Sequence, residues 1–173
     1  MTDIVHVRAN QLPPEGKVPH LAIPGTAGTG AETTAVAVLY EDGQKLSVDH
    51  PALLPDGVLL DGSLLDTLPE YHRKSCAMDA LAQGIESWWA KKATPGSRIH
   101  AERAIRGVLD NLTAYLQGDR KAQDEMLHAA YESGVAILTT RTTAAHAMSY
   151  QITKKLGAAH GHACMLTLPH LWA

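Results

Sequence analysis

Apolar residues recur at helical spacing through the second part of the chain. The pattern predicts one helix over residues 71–92 and a second that runs from Ser97, as its N-cap, to about Leu116. Asp119, directly after the stop signal Gly118, is expected to cap a third helix. Four or five helices packed against one another therefore make up most of the predicted fold.

The last two predicted helices carry a cluster of histidines. A run of threonines between residues 139 and 143 marks a change of direction, and the helix that follows bears His146. Gly157 is a helix stop signal, so His160 opens the next segment. We expect these two imidazoles to converge from consecutive helices.

The N-terminal part has short apolar runs that are divided by Gly and Pro. Five runs have the pattern of strands: residues 4–8, 21–23, 35–40, 44–48 and 57–61. Residues 41–43 form a turn signal that predicts a hairpin, and residues 25–34, rich in Gly and Thr, are a tight loop. We predict an α+β, mainly α fold, with a short β-rich part over residues 1–66 and a partial helical bundle over residues 67–173.

Composition is that of an ordinary soluble protein, with 173 residues, 45% of them hydrophobic and 19% charged. A formal charge of −3 offers no basic face, so no nucleic-acid partner is expected. No segment resembles a signal peptide or a membrane span, which indicates a cytoplasmic protein without a membrane partner. Cys76 and Cys164 lie in separate apolar or helical segments, which favours two reduced, buried thiols.

Asp79 lies in an almost wholly apolar stretch. A buried carboxylate needs a cation, a set of hydrogen bonds or a metal; a helix cap or a core ion pair is an equally weighted alternative. Glu86, on the same helix, is predicted to be solvated or ion-paired.

His146 and His160, taken one at a time, are each explained as core histidines. Together with Asp79, however, they form a two-histidine, one-carboxylate set that suits Fe2+, Zn2+ or Mn2+. Such a metal polarises a carbonyl or an alkoxide.

Cationic side chains surround this region: Arg141, Lys154, Lys155 and His162. They suit an anionic substrate, and a solvated helix face explains them equally well.

The loop over residues 25–34 follows a strand, so its backbone N–H groups suit a phosphate. It matches neither standard glycine motif, and a structural β-turn explains its glycines as well.

Four segments, in order and spacing, resemble the iron-containing, or group III, alcohol dehydrogenases: I-P-G-T-A-G-T-G-A-E at 23–32, L-L-P-D-G-V-L-L-D at 53–61, M-D-A-L-A-Q-G-I-E-S at 78–87, and H-A-M-S-Y at 146–150 with A-H-G-H-A beyond it. Within that family they look most like the branch of phosphonoacetaldehyde and phosphonopyruvate reductases. The resemblance runs from about residue 20 to residue 173 and corresponds to the middle of a family enzyme, shortened at both ends.

The resemblance implies an enzyme that binds NAD(P)H in an N-terminal α/β domain and a divalent metal, Fe2+ or Zn2+, in a helical domain. A small-molecule carbonyl substrate then lies between the two. The family's metal-ligand positions correspond to Asp79, Gln83, His146 and His160. Its cofactor-contacting loop corresponds to Thr26, Gly28, Thr29 and Gly30.

Two residues depart from the family pattern. Gln83 replaces a third histidine ligand, and an amide oxygen binds metal more weakly than imidazole does. Tyr150 replaces a histidine near the reacting carbon. Tyr150 and His162 are the two candidate catalytic residues.

The resemblance therefore predicts NAD(P)H-dependent reduction of a small aldehyde or keto acid, phosphonate-bearing in the branch that it most resembles. The alternative is a non-catalytic or repurposed homologue that acts as a metal- or partner-binding helical module. Since the lost segments would otherwise cover apolar surface, a homo-oligomer or a complementing chain is expected.

Overall fold

The computed structural model describes residues 18–41 and 44–172. Within them lie five α-helices: α1 Glu70–Trp89, α2 Pro95–Leu116, α3 Arg120–Thr140, α4 Ala144–Leu156 and α5 His160–Leu171. The strands are β1 Leu21–Ala22, β2 Val36–Glu41, β3 Gln44–Asp49 and β4 Gly57–Val58. Single turns of 3-10 helix lie at Ala31–Thr33, Pro51–Leu53 and Gly62–Leu65. The predicted α+β, mainly α fold is confirmed.

The strands form two separate pairs. β1 runs parallel to β4, with Leu21 opposite Gly57. β2 and β3 form the predicted antiparallel hairpin, in register from Val36 opposite Asp49 to Glu41 opposite Gln44. The predicted strand at residues 57–61 is shorter than expected, because only Gly57 and Val58 pair with β1. Residues 42–43 of the hairpin turn and the strand predicted at residues 4–8 lie outside the described residues.

The N-cap of helix α2 lies three residues before the predicted one. Thr94 Oγ1 accepts the Ser97 N–H at 3.1 Å, and Ser97 Oγ accepts the Thr94 N–H at 2.9 Å. This reciprocal capping box, with Pro95 in the first turn, makes Thr94 the N-cap. The prediction of Ser97 as the cap was therefore wrong. Asp119 caps α3 as predicted, by accepting the Ala122 N–H at 2.8 Å.

Helix α1 is the centre of the bundle and packs against α2, α3 and α5. Small residues allow these helices to approach closely. A Cβ on Gly84 would lie 3.0 Å from Ile105, and one on Gly161 would lie 1.9 Å from the Ser75 carbonyl oxygen. The close contact at Gly161 brings the first turn of α5 against the middle of α1.

None of the helices in residues 18–41 and 44–172 is both long enough and apolar enough to cross a membrane. The boundary predicted between residues 66 and 67 falls in the segment between the Gly62–Leu65 turn and α1. That the two parts form distinct domains stays a prediction.

Candidate active site

Four potential ligands meet where α1, α4 and α5 pack together. One ligand atom from each of Asp79, His146, His160 and Cys164 lies within 4.8 Å of the others. Asp79 Oδ1 is 3.2 Å from His146 Nε2 and 3.7 Å from His160 Nε2. Asp79 and His146 are only 3% and 4% exposed. The structure thus brings together the carboxylate and both imidazoles that the sequence pattern singled out.

Both histidines are held by their outer nitrogens. His146 Nδ1 binds Glu86 Oε2, and His160 Nδ1 lies 3.2 Å from Ser149 Oγ. Each ring therefore directs its Nε2 toward Asp79. Metal-binding histidines are oriented in the same way, by a partner on the nitrogen that does not bind the metal.

Glu86 is the residue that the sequence interpretation undervalued. It is fully buried, and its Oε1 accepts the N–H groups of Thr143 and Ala145, both at 3.0 Å. The prediction of a solvated side chain is wrong, and the ion-paired alternative is confirmed by His146. Burial opposes its ionisation, but the hydrogen bonds from His146, Thr143 and Ala145 hold the pKa of Glu86 below its ordinary value. Its position seven residues after Asp79, on the same helix face, was the available signal.

The ionisable groups of the cluster are strongly coupled. Burial lowers the pKa of His146, but hydrogen bonds with Asp79, Cys164 and Glu86 outweigh burial and raise it to about 12. Burial raises the pKa of Cys164, but the His146 and His160 rings outweigh it and bring the thiol pKa below its ordinary value. A divalent cation would compete with protons for these same donor atoms.

Gln83 is buried one turn after Asp79, but both ends of its amide have other partners. Its Nε2 donates to the Thr29 carbonyl oxygen at 3.2 Å, and its Oε1 accepts from Ser133 Oγ at 2.8 Å. In this arrangement Gln83 joins the Gly-rich loop to α1 and α3. The structure does not direct the Gln83 oxygen to the four-donor cluster.

Four residues predicted to contact a cofactor lie between β1 and the Ala31–Thr33 turn: Thr26, Gly28, Thr29 and Gly30. A Cβ on Gly28 would lie 2.9 Å from Cys76 Cα, so the loop lies directly against α1 at this residue. Gly30 has a left-handed backbone, with φ of 57°, and a Cβ there would lie 2.6 Å from the Ala130 carbonyl oxygen. Packing against α1 and α3 therefore requires both glycines, whatever the loop binds.

An open cavity of 1160 Å³ adjoins the cluster, bounded by the loop, β2, α3 and α4. Thr29, Asp79, His146 and His160 all line it. Tyr150 also lines it, and its ring stacks on His160 with centroids 6.0 Å apart and planes at 12°.

Two of the four predicted cations line the cavity. Lys154 projects from α4, and Arg141 forms an ion pair with Asp49. Lys155 is exposed on α4. His162 lies elsewhere, with its Nδ1 3.2 Å from the Tyr71 hydroxyl and its ring against the Tyr71 ring.

Two family models match the chain. The model described as "Fe-containing alcohol dehydrogenase family, C-terminal" matches residues 74–173, which is more than half of the chain. A second model, described as "Iron-containing alcohol dehydrogenase", matches residues 1–62. Both descriptions agree with the resemblance carried by the sequence motifs.

Individual proteins agree with the family models. A phosphonoacetaldehyde reductase from Streptomyces viridochromogenes is 37% identical over 94% of this chain and 42% of its own length. An alcohol dehydrogenase from Thermococcus barophilus is 33% identical, over 91% and 41%. The chain thus spans about two fifths of the length of the curated relatives that it matches.

Solved structures show the same fold. A sulfoacetaldehyde reductase from Bifidobacterium kashiwanohense, in complex with NAD+, superposes with a TM-score of 0.86 at 33% identity, over 89% of this chain and 42% of that one. An iron-containing alcohol dehydrogenase from Thermococcus thioreducens gives a TM-score of 0.84 at 33% identity, over 87% and 39%. With its helices, its Gly-rich loop and its motifs all in agreement, this chain belongs to the iron-containing alcohol dehydrogenase family.

Proposed function

We propose that this protein takes part in the NAD(P)H-dependent reduction of a small aldehyde or keto acid to the alcohol, with a divalent metal held by Asp79, His146 and His160. One observation carries the proposal: a buried cluster of metal-type donors opens directly onto a large cavity. The relatives named above are reductases of small aldehydes or dehydrogenases of alcohols, which agrees with this chemistry.

The donor set suits a divalent ion such as Fe2+ or Zn2+. It combines one carboxylate with two imidazoles whose outer nitrogens are already held by Glu86 and Ser149. Asp79 is almost fully buried, and such a carboxylate is costly unless cations balance it. A bound ion would act as a Lewis acid that polarises the substrate carbonyl.

The remaining steps fall to side chains that line the cavity. Tyr150 carries a hydroxyl proton beside His160 and is the proposed donor to the developing alkoxide. Thr29 lies at the edge of the cavity, where the Gly-rich loop would contact the cofactor. Val36, Val38 and Ile137 give the cavity an apolar wall.

We further propose that the substrate carries an anionic group such as a phosphonate. Lys154 and Arg141 line the same cavity, and because Arg141 is paired with Asp49, the positive charge that the proposal uses is that of Lys154. The names of two relatives, phosphonoacetaldehyde reductase and sulfoacetaldehyde reductase, describe small aldehydes of this type. Charge-assisted hydrogen bonds from Lys and Arg are well suited to phosphonate oxygens.

A second copy of this chain, or a complementing chain, is the proposed protein partner. Leu156, Trp172 and Leu109 are 75%, 66% and 60% exposed, and burying such apolar side chains against another chain would favour association. The same observation favours the alternative function, a non-catalytic helical module that binds a metal or a partner.

Three measurements on the purified chain test the function. They are metal analysis, titration with NADH and NADPH, and reduction of phosphonoacetaldehyde compared with acetaldehyde. The proposal expects bound Fe2+ or Zn2+, binding of at least one nucleotide, and faster turnover of the anionic aldehyde. If no metal co-purifies and neither nucleotide binds, the reductase proposal fails and the binding-module alternative takes its place.

A further inference from the structure

We propose that Cys164 supplies a thiolate ligand to the same metal ion, so that the protein ligands are Asp79, His146, His160 and Cys164 and the ion best suited to them is Zn2+. This inference rests on the metal site of the proposed function. It assigns a role to a side chain that the sequence pattern marked only as a buried thiol.

The position of Cys164 on α5 supports this role. It follows His160 by four residues, so the two side chains lie on the same face of α5. Cys164 Sγ is 3.9 Å from His160 Nε2, and both atoms belong to the group of donors that lie within 4.8 Å of one another. No other group of three or more His, Cys, Asp and Glu side chains in the described part of the chain lies this close together.

The separations between donors agree with a tetrahedral ion. Ligands at Zn–N and Zn–S bond lengths in tetrahedral geometry lie about 3.3–3.6 Å apart. The separations found are 3.2 Å and 3.7 Å from Asp79 Oδ1 to the two imidazoles, and 3.9 Å from His160 to the sulfur. The other pairs of donor atoms lie within 4.8 Å, so shifts of up to about 1 Å would bring all four donors onto one ion.

Gln83 is the competing candidate for the fourth ligand, and its contacts disfavour it. Its amide oxygen accepts from Ser133, and its amide nitrogen holds the Thr29 carbonyl. Turning the amide toward the cluster would break both hydrogen bonds in a buried position, whereas Cys164 already points at His160.

A thiolate changes which metal the site prefers. An Asp/His/His set is compatible with several divalent ions, but a thiolate is a soft ligand that favours Zn2+ over hard ions such as Mg2+ and Mn2+. Zn2+ also binds mixed nitrogen and sulfur sites more tightly than Fe2+ does in the general order of metal affinities. We therefore expect Zn2+ to outcompete Fe2+ and Mn2+ for this chain.

The test uses Co2+ as a spectroscopic substitute for Zn2+ in the metal-free chain. Thiolate coordination gives a sulfur-to-cobalt charge-transfer band in the near ultraviolet, which oxygen and nitrogen ligands do not produce. Cys76→Ser is the matched control, since Cys76 is the other of the two cysteines and lies outside the cluster. In that variant Cys164 is the sole thiol and is itself unaltered.

We expect the wild-type chain and Cys76→Ser to bind one Co2+ and to show the band. Cys164→Ser should lose the band and bind Zn2+ about 100-fold or more weakly, because even the loss of an outer-shell partner costs about 10–100-fold. Circular dichroism of each variant shows whether it is folded. If Cys164→Ser does not fold, the Cys76→Ser spectrum decides the question without it.

Two negative results have different meanings. If Cys76→Ser binds Co2+ without a charge-transfer band, Cys164 is not a ligand and only this inference is overturned. If the folded wild-type chain binds neither Co2+ nor Zn2+, the metal site of the proposed function fails as well.

Discussion

The buried carboxylate of Glu86 binds His146 through one oxygen and the start of helix α4 through the other. Thr143 gives no side-chain cap to α4, so the backbone N–H groups of Thr143 and Ala145 depend on Glu86. One side chain on α1 therefore fixes both the position of α4 and the orientation of the imidazole that α4 carries.

We predict that Glu86→Ala lowers the free energy of unfolding of the metal-free chain by about 3–5 kcal/mol, the usual cost of breaking a buried ion pair from one side. Urea denaturation in the presence of a chelator measures it. Glu70→Ala is the control, because Glu70 is 71% exposed and an ion pair at the surface, such as its pair with Lys74, contributes little to stability. Equal losses in the two variants would contradict the role assigned to Glu86.

Gly161→Ala should separate α5 from α1. The added Cβ would lie 1.9 Å from the Ser75 carbonyl oxygen and 2.8 Å from Asp79 Cβ, so the helices must move apart. We expect a loss of about 3 kcal/mol or more, at the upper end of overpacking costs, together with weaker Zn2+ binding. Gly96→Ala is the control, since the nearest atom is 3.8 Å from its Cβ and Ala favours a helix by about 0.5–1 kcal/mol.

The parts of the site that could be predicted from the sequence are those whose residues lie close together along the chain. His146 and His160 were predictable, because the stop signal Gly157 and helical spacing place them on neighbouring helices. Cys164 follows His160 by a single helical turn, and that signal was present but was interpreted as a core thiol. The prediction of a buried thiol is confirmed for Cys164, and the same helical spacing supports the ligand role proposed for it.

Long-range contacts set the limit of the sequence interpretation. Gln83 binds Thr29 and Ser133, which are 54 and 50 residues away. No local pattern reveals that its amide is occupied, so it was assigned as a ligand by resemblance alone. The N-cap of α2, in contrast, depends on a local contact. Thr94 and Ser97 are both favourable N-cap residues, so the sequence alone does not show which of them caps the helix, whereas the backbone conformation does.

Tyr150→Phe should reduce kcat of the reductase by about 10²- to 10⁴-fold, because it removes the proposed proton donor and keeps the ring that stacks on His160. Tyr71→Phe is the matched control. Tyr71 contacts His162 away from the cavity, so its variant should retain kcat. If both variants turn over at the wild-type rate, Tyr150 is not the donor.

The same comparison extends to the sequence prediction of a catalytic His162. His162→Gln should behave as Tyr71→Phe does if the Tyr71 contact describes its role. A selective loss of kcat in His162→Gln, with KM unchanged, would instead support the catalytic assignment.

Lys154→Gln should raise KM for an aldehyde that bears a phosphonate by about 10- to 100-fold, since hydrogen bonds to charged groups are worth about 1.5–3 kcal/mol. KM for acetaldehyde should not change, because it has no anionic group. Lys155→Gln removes the same charge from the next residue of α4, on an exposed position. An equal rise in KM in both variants would indicate a general effect of net charge.

Self-association is expected from the apolar side chains that the fold leaves exposed. Leu156, at the end of α4, is 75% exposed, and Trp172, after α5, is 66% exposed. Burying such side chains contributes about 25 cal/mol for each Å² removed from water, which favours an interface between copies. Light scattering at micromolar concentration should therefore give a mass above that of one chain.

Leu156→Gln should weaken the association and Lys155→Gln should not, since only the first removes apolar surface. A monodisperse monomer of the wild-type chain would contradict the proposed homo-oligomer and leave a different chain as the partner that covers this surface.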